Sequence, residues 1–150
     1  ALEFEELRVL KQAEEVADGI WAQVDGWDVF ARDTVGKQLV RAVDSTGANI
    51  AEAYGRFHFG EKLQFLYYAR GSLFEAKYWL NRARERSLMS TSKVQEHTTK
   101  LTDLARQLNS FAAMIRSQRH PSRSTGKGVR EAEVEYPTGN QDHADPFLTN

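Results

Sequence analysis

The groups in this chain best placed to do chemistry fall in two runs of polar and very small residues. Asn49-Ile50-Ala51-Glu52 leads into Gly55-Arg56, and Ala69-Arg70-Gly71-Ser72-Leu73 is followed by Glu75. Glu52 and Glu75 have the side chains of an acid/base pair, but catalysis also needs a nucleophile and a substrate pocket. Neither is legible beside them, so no catalytic residue is assigned and the expectation is a protein that is not an enzyme. Metal chemistry of the kind built into helical bundles requires Glu-x-x-His, which sets both ligands inward one turn apart. None of His58, His97, His120 and His143 has a Glu three positions before it. With no cysteine, thiolate metal sites, disulfides and thiol catalysis are excluded together. Arg116 and His120 stand too close for the Arg…His pair of helical-bundle ribonucleases. No phosphate loop, nucleophile elbow or dinucleotide fingerprint is present. No cofactor and no metal are expected.

The remaining candidates are cations. Arg56, Lys62, Arg70, Lys77, Arg82, Arg84 and Arg86 lie on and around one helical segment. Repeated around an oligomer, they would form a positive surface for RNA or DNA phosphates, with neighbouring aromatics available to stack bases. The alternative is a solvated face balanced by the acidic start of the chain. Residues 1–30 carry two basic and eight acidic side chains, and residues 31–90 carry ten basic and six acidic. Overall, 20 basic side chains meet 21 acidic ones, so no global field favours nucleic acid or a membrane surface.

Four segments with helical periodicity position these groups. The first runs from Phe4 to Val24, with Leu7, Leu10, Ala13, Ala17, Ile20 and Val24 as its stripe. The second, from Asp33 to Tyr54, turns Val35, Leu39, Ala42, Thr46, Ile50 and Ala53 inward, and Gly55 ends it as a positive-φ residue. The third spans Gly60 to Arg86. The fourth spans Ser92 to Arg116, with Ser92 and Gln95 as a capping box and Val94, Leu101, Leu104, Leu108, Phe111 and Ile115 as its stripe. Short connections make neighbours antiparallel, so the expected fold is all-α, an up-down-up-down four-helix bundle over 1–117. Residues 118–150 change composition, with Pro, Ser and Gly between a basic and then an acidic stretch. They are expected to form a flexible or extended C-terminal tail. No apolar run is long enough to span a bilayer and no basic-then-apolar leader opens the sequence, so no membrane association and a cytoplasmic location are expected.

The third segment carries more than one apolar face. Phe65, Leu66, Ala69, Leu73, Ala76, Leu80 and Ala83 suffice for a core, while Leu63, Tyr67, Phe74 and Tyr78 make a second stripe. Such a stripe suits a protein–protein interface, and it points to a homo-oligomer. The small residues suggest a close crossing of the second and third helices, fixed by Asn49, Glu52, Gly55, Arg70, Gly71, Ser72 and Glu75. Asn49, Glu52, Arg70 and Glu75 could share one hydrogen-bonded network there.

Across Asn49-to-Arg56 and Phe65-to-Glu75 the sequence resembles the four-helix-bundle family first described from proteins encoded in intervening sequences of 23S ribosomal RNA. The resemblance covers residues 5–117. Two departures stand out: Ala53 where relatives often have Gly, and Phe57-His58-Phe59-Gly60 where they often have a Ser-Lys-rich start to the third helix. The resemblance implies a homopentamer around a central channel and brings no catalytic residues. It also implies similarity to the accessory variability proteins of diversity-generating retroelements, which associate with a reverse transcriptase and nucleic acid. The reading is therefore a non-enzymatic oligomeric accessory protein that binds RNA, DNA, or a reverse-transcriptase or RNA-processing partner. The alternative is a structural or protein-interaction module with no nucleic-acid role.

Overall fold

The computed structural model of the chain describes residues 2–119, and every regular element among them is helical. α1 spans Leu2–Asp25, α2 is a single turn at Val29–Ala31, and a π-helical turn covers Arg32–Gly36. α3 (Lys37–Gly55), α4 (Phe59–Glu85) and α5 (Thr91–Arg119) follow. α2, the π turn and α3 run on without a break and form one rod, so four rods make the bundle. They pack around a square in which α1 meets α3, α3 meets α4, α4 meets α5 and α5 returns to α1, with the α3–α4 contact the most extensive. This is the expected up-down-up-down arrangement. The expected tail lies outside the described residues except for Gln118 and Arg119, which belong to α5.

The core is made by periodic apolar faces. Every inward position expected for the second and fourth segments is buried, Val35 to Ala53 and Val94 to Ile115 alike. α1 differs in part: Ala13, Ala17, Ile20 and Val24 are buried as expected, Val9 and Val16 join them, Leu10 is half-buried and Leu7 is exposed. Val9 to Val24 step by four or three residues and hold one face, whereas Leu7 falls off it. Single-residue truncations along such a stripe leave cavities that cost roughly 2–5 kcal/mol.

The helix ends differ from expectation in instructive ways. Trp27 N–H donates to Val24 O at 3.0 Å and the Asp28 carboxylate accepts from Ala31 N–H at 3.0 Å, so the second rod starts earlier than Asp33. The Thr34 hydroxyl donates to Phe30 O at 2.6 Å, competing with the backbone for that carbonyl where the ladder widens to π spacing. Gly55 does not need positive φ: no glycine among the described residues has it, and Arg56 ends α3 in an extended conformation (φ −86°, ψ 139°). The left-handed residue is Ser87 (φ 56°), with Ser87 N–H on Arg84 O at 3.0 Å and Leu88 N–H on Ala83 O at 2.8 Å. Those two bonds are a Schellman motif built without glycine. Ser90 rather than Ser92 caps α5, its hydroxyl accepting from Lys93 N–H at 3.1 Å.

Candidate interaction surface on α4

α4 reaches outward with aromatic side chains. Tyr67, Gly71, Phe74 and Tyr78 are spaced four, three and four residues apart, which places them on one stripe. Tyr67 is 42% exposed and Tyr78 56%, while Phe74 is half-buried against the core. Leu63, expected to share this outer stripe, is buried in the core instead. At 100° per residue Phe74, Tyr67 and Tyr78 lie about 20°, 40° and 60° round the helix from Leu63, and exposure rises in that order.

Gly71 corrects the expected close crossing. A Cβ added there would meet nothing within 4 Å, so within one chain it faces open space. Gly55 is likewise open. Ser72 is half-buried and Glu75 exposed. Three of the four groups foreseen in one network between α3 and α4 have local partners. Asn49 Nδ2 donates to Ser45 O at 2.9 Å, Glu52 pairs with Arg56, and Glu75 accepts from Trp79 Nε1 at 3.4 Å, each within its own helix or at its end.

The position that does require a missing side chain is Gly36, in the π turn. A Cβ there would lie 2.6 Å from Val24 Cγ1 and 3.3 Å from Ala31 O. The close approach of the first and second rods therefore occurs at Gly36, which the sequence did not single out because it sits in a mostly polar stretch, Asp33-Thr34-Val35-Gly36-Lys37-Gln38, with no second small residue beside it.

The seven candidate phosphate-binding cations separate into different roles. Lys62 is 13% exposed; its ammonium pairs with Glu6 at 3.1 Å and donates to Ala53 O at 3.1 Å and Tyr54 O at 3.2 Å. It ties the starts of α1 and α4 to the end of α3, and is no open phosphate site. Lys77 donates to the buried Thr102 hydroxyl at 2.8 Å and lies 6.0 Å from the Phe74 ring. Arg56 covers the Phe65 ring at 4.6 Å and Arg70 covers Phe74 at 5.2 Å. Arg82 bonds Asn81 at 2.7 Å and Arg84 pairs with Glu85 at 3.3 Å. Arg86 is exposed and lines a cleft with Phe30 and Leu88. A cation that the sequence did not single out joins the aromatic stripe: Arg116 of α5 lies 5.7 Å from the Tyr67 ring. Such stacking is worth roughly 0.5–1 kcal/mol at exposed sites.

Two charged features away from α4 are also new. Glu14, Asp18 and Asp44 line a groove between α1 and α3, where partial burial and then the neighbouring Asp18 hold the Asp44 carboxyl above its usual value. His97 is 4% exposed, with neither ring nitrogen hydrogen-bonded. Its ring faces Gly19 of α1, 3.4 Å from where a Cβ would stand. Burial depresses its basicity, with Glu96 opposing that shift and Lys100 and Lys93 adding to it. The acidic bias of the first segment was a visible signal for the groove, and the signal for His97 was its place on the fourth segment's stripe, three residues after Val94 and four before Leu101. Among the described residues no cluster of side chains is arranged to hold a metal ion, and no helix is long and apolar enough to cross a membrane.

The model of one protein family, described as 23S rRNA-intervening sequence protein, matches residues 5–110. The chain belongs to that family. A crystal structure of a protein of unknown function from the S23 ribosomal protein family of Bacteroides thetaiotaomicron VPI-5482 is similar in fold. The two align with a TM-score of 0.55 and 18% identity, over 75% of this chain and 98% of the other. At that identity the likeness speaks for the bundle alone. No curated protein matches the chain.

Proposed function

We propose that this family member is a non-enzymatic helical scaffold that self-associates through the outer stripe of α4 and serves as an accessory to a larger assembly. The observation that carries the reading is Gly71, open to solvent between Tyr67, Phe74 and Tyr78. A glycine in a helix interior costs about 0.5–1 kcal/mol against alanine. Nothing among the described residues uses the missing side chain, whereas a second helix laid on the stripe would. Aromatic side chains beside a small gap are what such packing uses. A homopentamer is the assembly suggested by the resemblance of the paired motifs, and a cytoplasmic reverse-transcriptase-like or RNA-processing protein is the kind of partner it would serve.

Light scattering on the purified chain tests this reading. An assembly at micromolar concentration is expected; a monomer there would sink it. A second reading, direct binding of RNA or DNA, is supported by the family's connection to ribosomal RNA intervening sequences, by Arg116 against Tyr67 on the aromatic face and by the exposed Arg86 after α4. Against it, Lys62 and Lys77 are engaged inside the bundle. Titrating labelled RNA across a salt series separates the two, since phosphate contacts give an affinity that falls steeply with salt. Absent or salt-insensitive binding removes the nucleic-acid reading and leaves the scaffold.

A further inference from the structure

The α4 stripe has a counterpart on the opposite side of the same bundle. Along the seam of α1 and α3 runs an open groove of about 260 Å³, floored by Leu10, Ala13, Ala17, Gly47, Ala48 and Ala51. Gly47 stands inside α3, where a glycine weakens the helix. A Cβ there would meet Ala13 Cβ at 3.8 Å, an ordinary contact, so packing among the described residues does not require the missing side chain. Gly47 thus repeats on this seam what Gly71 shows on α4, a helix-interior glycine whose space is left unused. The two surfaces also match in form. The stripe from Tyr67 to Tyr78 is about 17 Å long and the floor from Leu10 to Asp18 about 12 Å, at 1.5 Å per residue. Aromatic knobs project from the first, and small side chains between two helices leave the second hollow, the relation by which a third helix packs onto a pair.

Charge decides which surfaces pair. Arg70 and Lys77 stand beside Phe74, and Arg116 lies against Tyr67, so two stripes laid together would set cations against cations. Glu14, Asp18 and Asp44 wall the groove, so two grooves laid together would set carboxylates against carboxylates. Like charges facing each other across an interface cost affinity, while opposite ones steer encounter and fix register. Pairing of either face with itself is therefore disfavoured, and stripe against groove agrees in both sign and shape. The contact of Tyr67 with Arg116 of α5 turns the stripe toward the α4–α5 side, away from the α1–α3 seam. One copy can thus offer its stripe and accept another's at the same time, the condition for a head-to-tail assembly. Resting on the α4 reading above, we propose that the α4 stripe of one copy lies in the α1–α3 groove of the next.

Light scattering on full-length variants, alone and mixed, tests this. Ala48 is exposed in the groove, so Ala48→Arg fills it and sets a cation against Arg70 and Lys77 of the incoming copy without entering the core. Should that change lower the thermal midpoint, Ala51→Arg, also exposed in the groove, gives the same readout. Ala48→Arg and Gly71→Leu are each expected to raise the dissociation constant roughly tenfold or more. Mixed in equal amounts, they should form heterodimers and stop there. The first variant keeps its stripe and the second its groove, while the other two faces are spoiled. If Ala48→Arg assembles like wild type and Gly71→Leu does not, the proposal is overturned and the α4 reading stands. Two weakened variants that do not combine overturn it as well. Gly71→Leu assembling like wild type would remove the α4 reading itself, and the proposal with it.

Discussion

At the scale of single residues, the consequential groups are buried polar ones. His97 is held neutral by burial, with no hydrogen bond to either nitrogen. Its folded-state pKa is depressed, so below the unfolded value of about 6.5 the unfolded chain takes up a proton that the bundle resists. Its contribution is therefore fully present above that pH and is lost as pH falls toward the folded value. Urea midpoints should drop between about pH 7 and 5.5, and His97→Leu should flatten that part of the profile. A slope identical in the variant would contradict this account. Lys62 and Glu6 form the bundle's inner ion pair, with side chains only 13% and 6% exposed. Lys62→Met should cost about 3 kcal/mol, because Glu6 is left without its partner. Adding Glu6→Gln should recover part of that loss in the same denaturation assay.

At the scale of elements, two positions govern how the rods begin and end. Ser87 holds a left-handed conformation in the Schellman turn after α4, a geometry that strains a residue with a Cβ. Ser87→Gly should raise stability by roughly 0.5–1 kcal/mol, read as an upward shift in thermal midpoint. Gly36 behaves in the opposite sense. Its π turn brings the second rod against Val24, and Gly36→Ala should cost about 1–3 kcal/mol by forcing the two rods apart. A neutral result would mean that Val24 yields easily. Neither position announced itself in the sequence, since a serine after a helix and a lone glycine in a polar stretch both have commoner explanations.

At the scale of the whole molecule, the question is what covers the α4 stripe. Gly71→Leu should leave the bundle as stable or slightly more so, because leucine is a better helix former and its Cβ meets no atom of the described residues within 4 Å. The same change should lower the assembly state seen by light scattering, since it fills the gap between Tyr67 and Tyr78. Loss of stability without loss of assembly would place Gly71 back inside the fold. The two readouts thus distinguish an inward from an outward role for one residue.

The sequence by itself determined the helices, their antiparallel order and the family. Those follow from apolar periodicity, short connections and the paired motifs, all of which are local along the chain. The core positions of the second and fourth segments were legible for the same reason. The roles of polar and small residues were not. Asn49, Glu52 and Glu75 close within their own helices, and Lys62 turns inward to Glu6, fifty-six positions away in the chain. Gly71 looks outward and Gly36 takes the close approach. Whether a small or charged residue meets a neighbour depends on how the rods are rotated about their axes. The extra residue of the π turn shifts that rotation for the second rod, and only the packed bundle fixes it.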